Sequence, residues 1–420
     1  MIASALKRVV NLNEQIDTEV LLWPEEAAYL CDELGFDVFP SRSGGESHPP
    51  DQESPRPYKV NPRQYVGHFS LSTGAFVAIR PKIPAANVFR MLAYVYVSTD
   101  RQLLDKGDVL YAEDTLLFEP LVELFNELVT KRVRSGLAQD YIRREENLRG
   151  LRGKLLLAEH FRQNLCRPDH LACRFHENTC DIEDNQIIKW TLWKLPTPIL
   201  SDLTIRNIRA NLHQFEPVSL ARPHGTVFDR RHYHRLNDDY RLIHGLCRLF
   251  LDGSSISEKA GDIKFHGFLL DMNNLFERFV TQAFKSCSAG AEFSIVAQEE
   301  GEFSDSLSTQ TIGICPDVLA RRGEQVVAVI DAKYKKIMGP YKNHDLYQML
   351  SYGTSLGCSS TYLYYPATES EFEGLIFVKN SPISIEIKCV DIANKRCVDL
   401  AEESANGLLR QHSIRHLQSM

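Results

Sequence analysis

Residues 314 to 336 read "ICPDVLARRGEQVVAVIDAKYKK". The run Val326–Ile330 is apolar at every position, as expected for a strand buried on both faces. "TIGICPDVLA" before it also reads as a strand, and "RRGE" supplies the turn between the two. Folding the hairpin about Gly323–Glu324 brings Asp317 and Asp331 to neighbouring positions. Asp331 and Lys333 are two residues apart, so their side chains leave the strand on the same side. A hairpin built only for structure would end in Asn, Gly or Ser; this one ends in two acids and a base.

Such a cluster has a chemical use. Two carboxylates suit Mg²⁺, which prefers oxygen ligands and keeps several waters. Asp317 and Asp331 are the candidate ligands, and the Ala332 carbonyl adds a third protein oxygen. A metal there lowers the pKa of a bound water and stabilises charge on a phosphodiester. Lys333 then orients that water or neutralises the developing charge. The bland alternative is an exposed turn-end carrying an Asp–Lys ion pair, and for an isolated triplet it is the stronger reading. The upstream Pro-Asp after an apolar strand favours the functional one.

Two flanking helices add candidates. "LLDMNNLFERFVTQAFKS" places Met272, Phe276, Phe279 and Ala283 on one buried stripe. Glu277 sits at its edge, on the face of Asn273 and Thr281, within reach of a metal beside the hairpin. In "HDLYQMLSYGTSL", Gln348 and Tyr352 are four apart and share a face. They are placed to bridge a phosphate or brace Lys333; the alternative is a tyrosine packed on the sheet.

A chain of 420 residues is expected to hold two or three domains. Residues 1–105 read as a small β-containing domain, with a mobile loop expected at 41–58, where "SRSGGESHPPDQESPRPY" has too little apolar surface for a core. "TLLFEPLVELFNELVTKRV", "NQIIKWTLWKLPTPIL" and "DYRLIHGLCRLFL" are helical patterns, so 106–255 reads as a mainly helical middle region. Trp190 and Trp193 there read as core. Residues 256–420 carry the hairpin. No GxxxxGK[ST] occurs, so this chain is expected to bind no nucleotide. No apolar run approaches a membrane span, and the N-terminus turns polar too soon for a signal-peptide core. Ten scattered cysteines read as reduced thiols, and a cytoplasmic location is expected.

A net charge of −7 speaks against nucleic acid at long range, but a local patch can still bind phosphate. Residues 131–154 hold Lys131, Arg132, Arg134, Arg143, Arg144, Arg149, Arg152 and Lys154, either a solvated surface or a track for DNA or an acidic partner. Arg222, Arg230, Arg231 and Arg235 offer a second basic group, readable as phosphate contacts or as a solvated loop. Cys166, His170, Cys173, His176 and Cys180 suit zinc in number, but their spacing matches no common zinc module.

Glu277, the Pro-Asp at 316–317, "DAK" at 331–333 and "QMLSY" at 348–352 together resemble the PD-(D/E)xK nuclease superfamily, and the Gln-xxx-Tyr element its RecB-like branch. "LDMNNLFERFV", "PDVLA", "DAKYK" and "DLYQMLSYG", with "FVAIRPKI", "LRGLRGKL", "HENTCDIEDNQIIKWTL" and "RLNDDYRLIHGLCRLFL", resemble the McrC family over residues 60 to 370. McrC is the nuclease subunit of modification-dependent McrBC (type IV) restriction systems. The resemblance implies an α/β fold, α+β overall, with a C-terminal restriction-endonuclease-like core. It implies a Mg²⁺-dependent DNA endonuclease, with Mn²⁺ as a candidate substitute, acting on double-stranded and methylated DNA. Asp317, Asp331, Lys333, Glu277, Gln348 and Tyr352 would form the site, with Asp317, Asp331, Glu277 and the Ala332 carbonyl facing the metal. A separate McrB-like AAA+ GTPase ring would recruit and activate the chain through residues 1–105, with dimerisation arising through that complex. The loop at 41–58 would be a finger entering the ring. The alternatives are a non-catalytic regulator that only stimulates an AAA+ NTPase, and a stand-alone RecB-like repair nuclease.

Overall fold

The computed structural model describes residues 8–41, 54–71, 73–97, 117–195, 200–228, 230–231, 233, 237–258, 267–288, 292–302, 312–335, 343–367 and 373–419. The chain divides into two compact units. Met1–Phe118 and Gly253–Met420 form one, and Glu119–Asp252 the other.

The first unit starts with β1 (Val9–Asn13), β2 (Thr18–Leu22), β3 (Asp37–Pro40), β4 (Arg56–Asn61), β5 (Tyr65–Ser70) and β6 (Phe76–Arg80). β2, β4 and β3 form an antiparallel sheet, with the helix Pro24–Asp32 between β2 and β3 in sequence. β5 and β6 form a hairpin, and β1 runs parallel to β6. Leu12, Leu22, Leu30, Phe36, Val60, Phe69 and Val77 are buried in one cluster that joins these strands and the helix. Each such side chain contributes roughly 1.5–3 kcal/mol when fully buried. Of the loop expected at 41–58, residues 42–53 lie outside the described residues. Arg56, Pro57 and Tyr58 are strand, paired with Leu22, Leu21 and Val20.

The second unit holds most of the helix Phe118–Arg134 and the helices Glu183–Lys194 and Asp202–Gln214. It also holds a sheet that the helical reading omits: β7 (Asp140–Leu148), β8 (Lys154–Leu155) and β9 (Leu171–Thr179), in the order β7-β9-β8. β7 reads "DYIRREENL" and is mostly exposed, so it has no apolar alternation to announce it. Pairing with β9 holds it, and ion pairs flank the ladder: Arg143–Glu145 at 2.6 Å, Arg174–Glu145 at 2.7 Å and Arg152–Glu177 at 3.3 Å. The basic block 131–154 is therefore divided among a helix end, the strands β7 and β8 and the connection between them, and is partly neutralised. Trp193 is 52% exposed, which corrects its assignment to the core. Cys173 is buried in β9 and His176 exposed on it, and no group of three potential ligands forms among the described residues. Arg231 pairs with Glu183 and Asp184; Arg235 lies outside the described residues.

The chain then re-enters the first unit. β10 (Gly267–Asp271) pairs antiparallel with β5 and completes a four-stranded sheet of order β1-β6-β5-β10. Gly67 in β5 has φ +132°, and a Cβ there would meet the Phe268 carbonyl oxygen at 2.1 Å. Only glycine permits this approach. The regions 1–105 and 256–420 therefore share one unit, because a C-terminal strand closes the N-terminal sheet, and the middle region 106–255 corresponds approximately to the other.

β11 (Ser294–Ala297), β12 (Gly301–Glu302), β13 (Gly313–Ile314), β14 (Val318–Arg322), β15 (Gln325–Ala332), β16 (Ser360–Pro366), β17 (Gly374–Phe377) and β18 (Ser384–Val390) follow. β12 and β13 pair briefly with each other. The other six form one mixed sheet, β11-β14-β15-β16-β18-β17, parallel at β15-β16-β18 and antiparallel at both margins. Every residue of β16 is buried, because both of its faces are covered. Leu363 and Tyr365 pack in one cluster with Met349 and Tyr352 of the helix Asn343–Ser355. On the other face Tyr364 meets Phe284 of the helix Met272–Ser288, and Tyr362 bonds His412 of the helix Cys397–Ser419. This is the mixed α/β architecture that the apolar run demanded. Among the described residues, no helix is long and apolar enough to cross a membrane.

Candidate active site

The hairpin register decides the geometry. Arg322 pairs with Gln325, so the turn is Gly323–Glu324, with Gly323 at φ +58°, and a bulge between Ala320 and Arg321 shifts the register by one residue so that Val318 pairs with Ile330. Asp317, one residue before the ladder, then lies beside the end of β15. Its Oδ2 accepts the Ala332 amide at 2.8 Å, in the place where a longer β14 would have supplied a carbonyl. Backbone groups of one residue leave a strand on one side, so the Ala332 carbonyl turns the same way as its amide. The next residue points oppositely: the Lys333 amide bonds the Tyr364 carbonyl on β16 at 2.8 Å.

Asp331 is 1% exposed, and the Lys333 ammonium lies 2.7 Å from its Oδ2. The structure therefore brings Asp317, Asp331, Lys333 and the Ala332 backbone to one strand end. Burial, and then the charge of Asp317, raises the pKa of Asp331. Burial, with the Glu277 charge adding to it, raises Asp317, against the lowering effect of the Ala332 amide. Two acids this close titrate as a pair. Burial works against the Lys333 charge, but Asp331, Asp317 and Glu277 outweigh it and its pKa rises.

Glu277 projects from the helix Met272–Ser288, whose stripe Met272, Phe276, Phe279 and Ala283 is buried as its spacing predicts. Its pKa is raised by burial first and by Asp331 and Asp271 next, with Lys333 opposing. Glu277, Asn273, Ala332 and Lys333 line a cavity of about 560 Å³.

Gln348 and Tyr352 do not brace Lys333. Gln348 Nε2 donates to the Tyr352 hydroxyl at 2.7 Å, and that hydroxyl donates to the Cys315 carbonyl at 3.3 Å. The pair therefore fixes the backbone just before Pro316–Asp317. It still feels the site, since Asp331 and Asp317 raise the Tyr352 pKa after burial does and Lys333 lowers it.

The residues present suit a hard divalent cation. Two buried carboxylates that burden each other, and the Ala332 carbonyl on the Asp317 side of the strand, are oxygen donors of the kind Mg²⁺ accepts. They form no closed cage: among the described residues no three His, Cys, Asp or Glu side chains converge as a ready ligand group. Glu277 shares the cavity rather than joining the aspartates directly. Mg²⁺ needs only one or two carboxylates when water completes its shell.

Three contributors escaped the sequence reading. Buried Asp345 accepts Lys335 Nζ and the Tyr365 hydroxyl, both at 2.7 Å. Lys82 lies 3.9 Å above the Tyr334 ring, and the backbone amide of Lys82 donates to Glu14 at 3.0 Å. Asn61, Arg63 and Gln64 form part of the cavity wall. The second lysine of "DAKYKK" and the aspartate before "LYQ" were available signals for the first. Lys82 stands in "FVAIRPKI", a stretch singled out above, but nothing local places it or the segment Asn61–Gln64 beside Lys333 and Tyr334, 250 or more residues away in the chain.

Comparison with known proteins gives the family. A family model described as McrBC 5-methylcytosine restriction system component matches residues 60–366. The Type IV methyl-directed restriction enzyme EcoKMcrBC of Escherichia coli (strain K12) is 25% identical over 298 residues, covering 66% of this chain and 82% of that relative. Among solved structures, a half-complex from the tetradecameric assembly of Thermococcus gammatolerans McrB AAA+ hexamers with bound McrC matches with a TM-score of 0.56. That alignment covers 95% of this chain and 100% of the other at 20% identity, and is a likeness of fold.

Proposed function

This chain belongs to the family of McrBC 5-methylcytosine restriction system components, and we propose that it is the nuclease subunit of such a system. In this reading it hydrolyses DNA phosphodiesters with Mg²⁺, through a PD-(D/E)xK site, when a separate AAA+ GTPase recruits and activates it. The observation that carries the reading is the meeting of Asp317, Asp331 and Lys333 at the end of β15, with two acids and a base fixed by the backbone. The relative from Escherichia coli is a methyl-directed restriction enzyme, and the Thermococcus assembly pairs McrC with McrB AAA+ hexamers. The first supports methylated DNA as the substrate, and the second an AAA+ ring as the partner.

Asp317, Asp331 and the Ala332 carbonyl would hold the metal. When bound it would supply an acidified water and charge stabilisation at the phosphorus. The chain's own residues do the rest. Lys333, kept protonated by three carboxylates, places positive charge beside the scissile phosphate. Glu277, held toward its protonated form by burial, is suited to relay a proton at the cavity wall. Gln348 and Tyr352 keep Asp317 in place through the Cys315 carbonyl.

The test is cleavage of methylated and unmethylated plasmid with Mg²⁺, with and without the AAA+ partner and its nucleotide. Cutting that needs the partner and methylation supports the reading. Asp331→Ala should reduce cutting to background while leaving the melting temperature near wild type and partner stimulation intact. Cutting that survives Asp331→Ala would place the active site elsewhere.

A further inference from the structure

The cavity beside Lys333 has a second wall that the nuclease motifs do not supply. It is the turn Asn61–Tyr65, between β4 and β5, and it carries Arg63. Arg63 has φ +51°, a left-handed conformation that a non-glycine residue holds only when its surroundings enforce it. Those surroundings are on view. The Arg63 amide donates to Asn61 Oδ1 at 2.8 Å, and its carbonyl accepts the Gln15 amide at 2.9 Å. The Gln64 carbonyl accepts the Met272 amide at 3.1 Å, at the first residue of the helix that carries Glu277. The turn is thus bonded directly to the element that positions a candidate catalytic acid.

The chemistry of the wall suits an anion. Arg63, Lys333 and Lys335 are three cations around one cavity, which Asn61, Gln64 and Asn273 also line together with the acids Asp37 and Glu277. Amides and guanidinium groups are the usual partners of phosphate oxygens, and they position a backbone without reading its sequence. Arg63 is half exposed, and its guanidinium is held by one carboxylate, Asp37, at 2.6 Å. Asp37 lines the same cavity. An exposed pair of this kind contributes little stability, roughly 0–1 kcal/mol, so it can be broken at small cost when a phosphate arrives.

We propose that Arg63, with Asn61 and Gln64 beside it, forms a phosphate subsite that positions the DNA backbone across the cavity from Lys333, and that Asp37 gates it as a competing internal anion. This rests on the reading of the cavity as a nuclease site. It adds that the N-terminal region contributes to substrate binding itself as well as to partner docking. Arg63 is a positioning residue: it holds a phosphate next to the one that reacts.

The test uses the full chain and a mixed-sequence duplex oligonucleotide, with Ca²⁺ in place of Mg²⁺ and salt varied. Arg63→Gln should weaken binding about three- to tenfold at low salt and flatten the slope of log K against log salt by about 0.9, the signature of one lost phosphate contact. Arg63→Lys, which keeps the charge, should retain most of the affinity. Asp37→Asn should bind as wild type or more tightly, because it frees the arginine. If the pair were only structural, Arg63→Gln and Asp37→Asn would weaken binding alike, and that outcome overturns the proposal. Wild-type affinity and slope in Arg63→Gln also overturn it, as does a wild-type chain that binds no duplex. Plasmid cleavage by the wild-type chain with its partner is read in parallel. If cleavage persists while Arg63→Gln behaves as wild type, the subsite fails and the nuclease reading stands.

Discussion

The carboxylate of Asp317 accepts the Ala332 amide while facing a second buried carboxylate, and burial raises the pKa of both. A raised acid destabilises the fold once it ionises. The unfolded chain gives up its protons near pH 4, whereas the native pair holds them to higher pH, so stability falls as pH rises through that interval. Asp317→Asn keeps an oxygen for the Ala332 amide and removes one charge. In chelator it should melt higher than wild type at pH 8, by on the order of 1 kcal/mol, with the difference closing toward pH 4. Equal melting temperatures at pH 8 would show that the pair is not strained by charge. Lys333→Gln should fold normally and lower the cleavage rate by about 10²–10³, the scale of losing one fixed stabiliser of developing charge. A rate within a factor of a few of wild type would remove Lys333 from the chemistry. His68 titrates in the opposite sense. It is buried against Phe76, Phe118 and Phe268, and burial lowers its pKa to about 4. The unfolded imidazole protonates near pH 6.5 while the folded one stays neutral, so this contribution to stability is lost as pH falls from about 6.5 to about 4. His68→Phe should therefore flatten the acid limb of a melting-temperature profile.

At the scale of elements, the site is the end of one strand held by its neighbours. β14 stops at Val318, so that Asp317 bonds Ala332 with its side chain. β16 fixes the far side through the Lys333 amide, and the helix Asn343–Ser355 fixes the approach through Tyr352 and the Cys315 carbonyl. The sheet core under this arrangement is dense: Leu319, Val329, Leu363, Ile385 and Ile387 are all buried beneath that helix. Leu363→Ala should cost about 2–5 kcal/mol, read in a denaturant titration, as expected for a cavity opened in a packed core. Tyr352→Phe removes one hydroxyl and should cost only about 1 kcal/mol of stability. Its larger effect should be on cleavage, through a looser Asp317. A variant that cuts at the wild-type rate would reduce Tyr352 to packing.

Over the whole molecule, the first unit is discontinuous in sequence, with β10 closing a sheet begun by β1, β5 and β6. A fragment that begins near residue 256 should therefore unfold without the cooperative transition of the full chain, because β10 would lose its partner and Met272 its Gln64 carbonyl. A sharp melting transition in that fragment would show that the C-terminal core is self-sufficient. The sequence by itself determined the C-terminal half of this picture. An unbroken apolar run has to be covered on both faces, strand geometry puts Asp331 and Lys333 on one side, and a two-residue turn returns Asp317 to the neighbourhood of that strand end. All of these are local consequences of period and chirality, and so they are legible in a few tens of residues. The stripe on the Glu277 helix is legible for the same reason. The partner of Tyr352, the strand β7 with its charged sequence, the exposure of Trp193 and the N-terminal wall of the cavity were decided only by the tertiary structure. Each depends on groups far apart in the chain, and neither periodicity nor spacing encodes which distant carbonyl, strand or arginine will arrive beside a given residue.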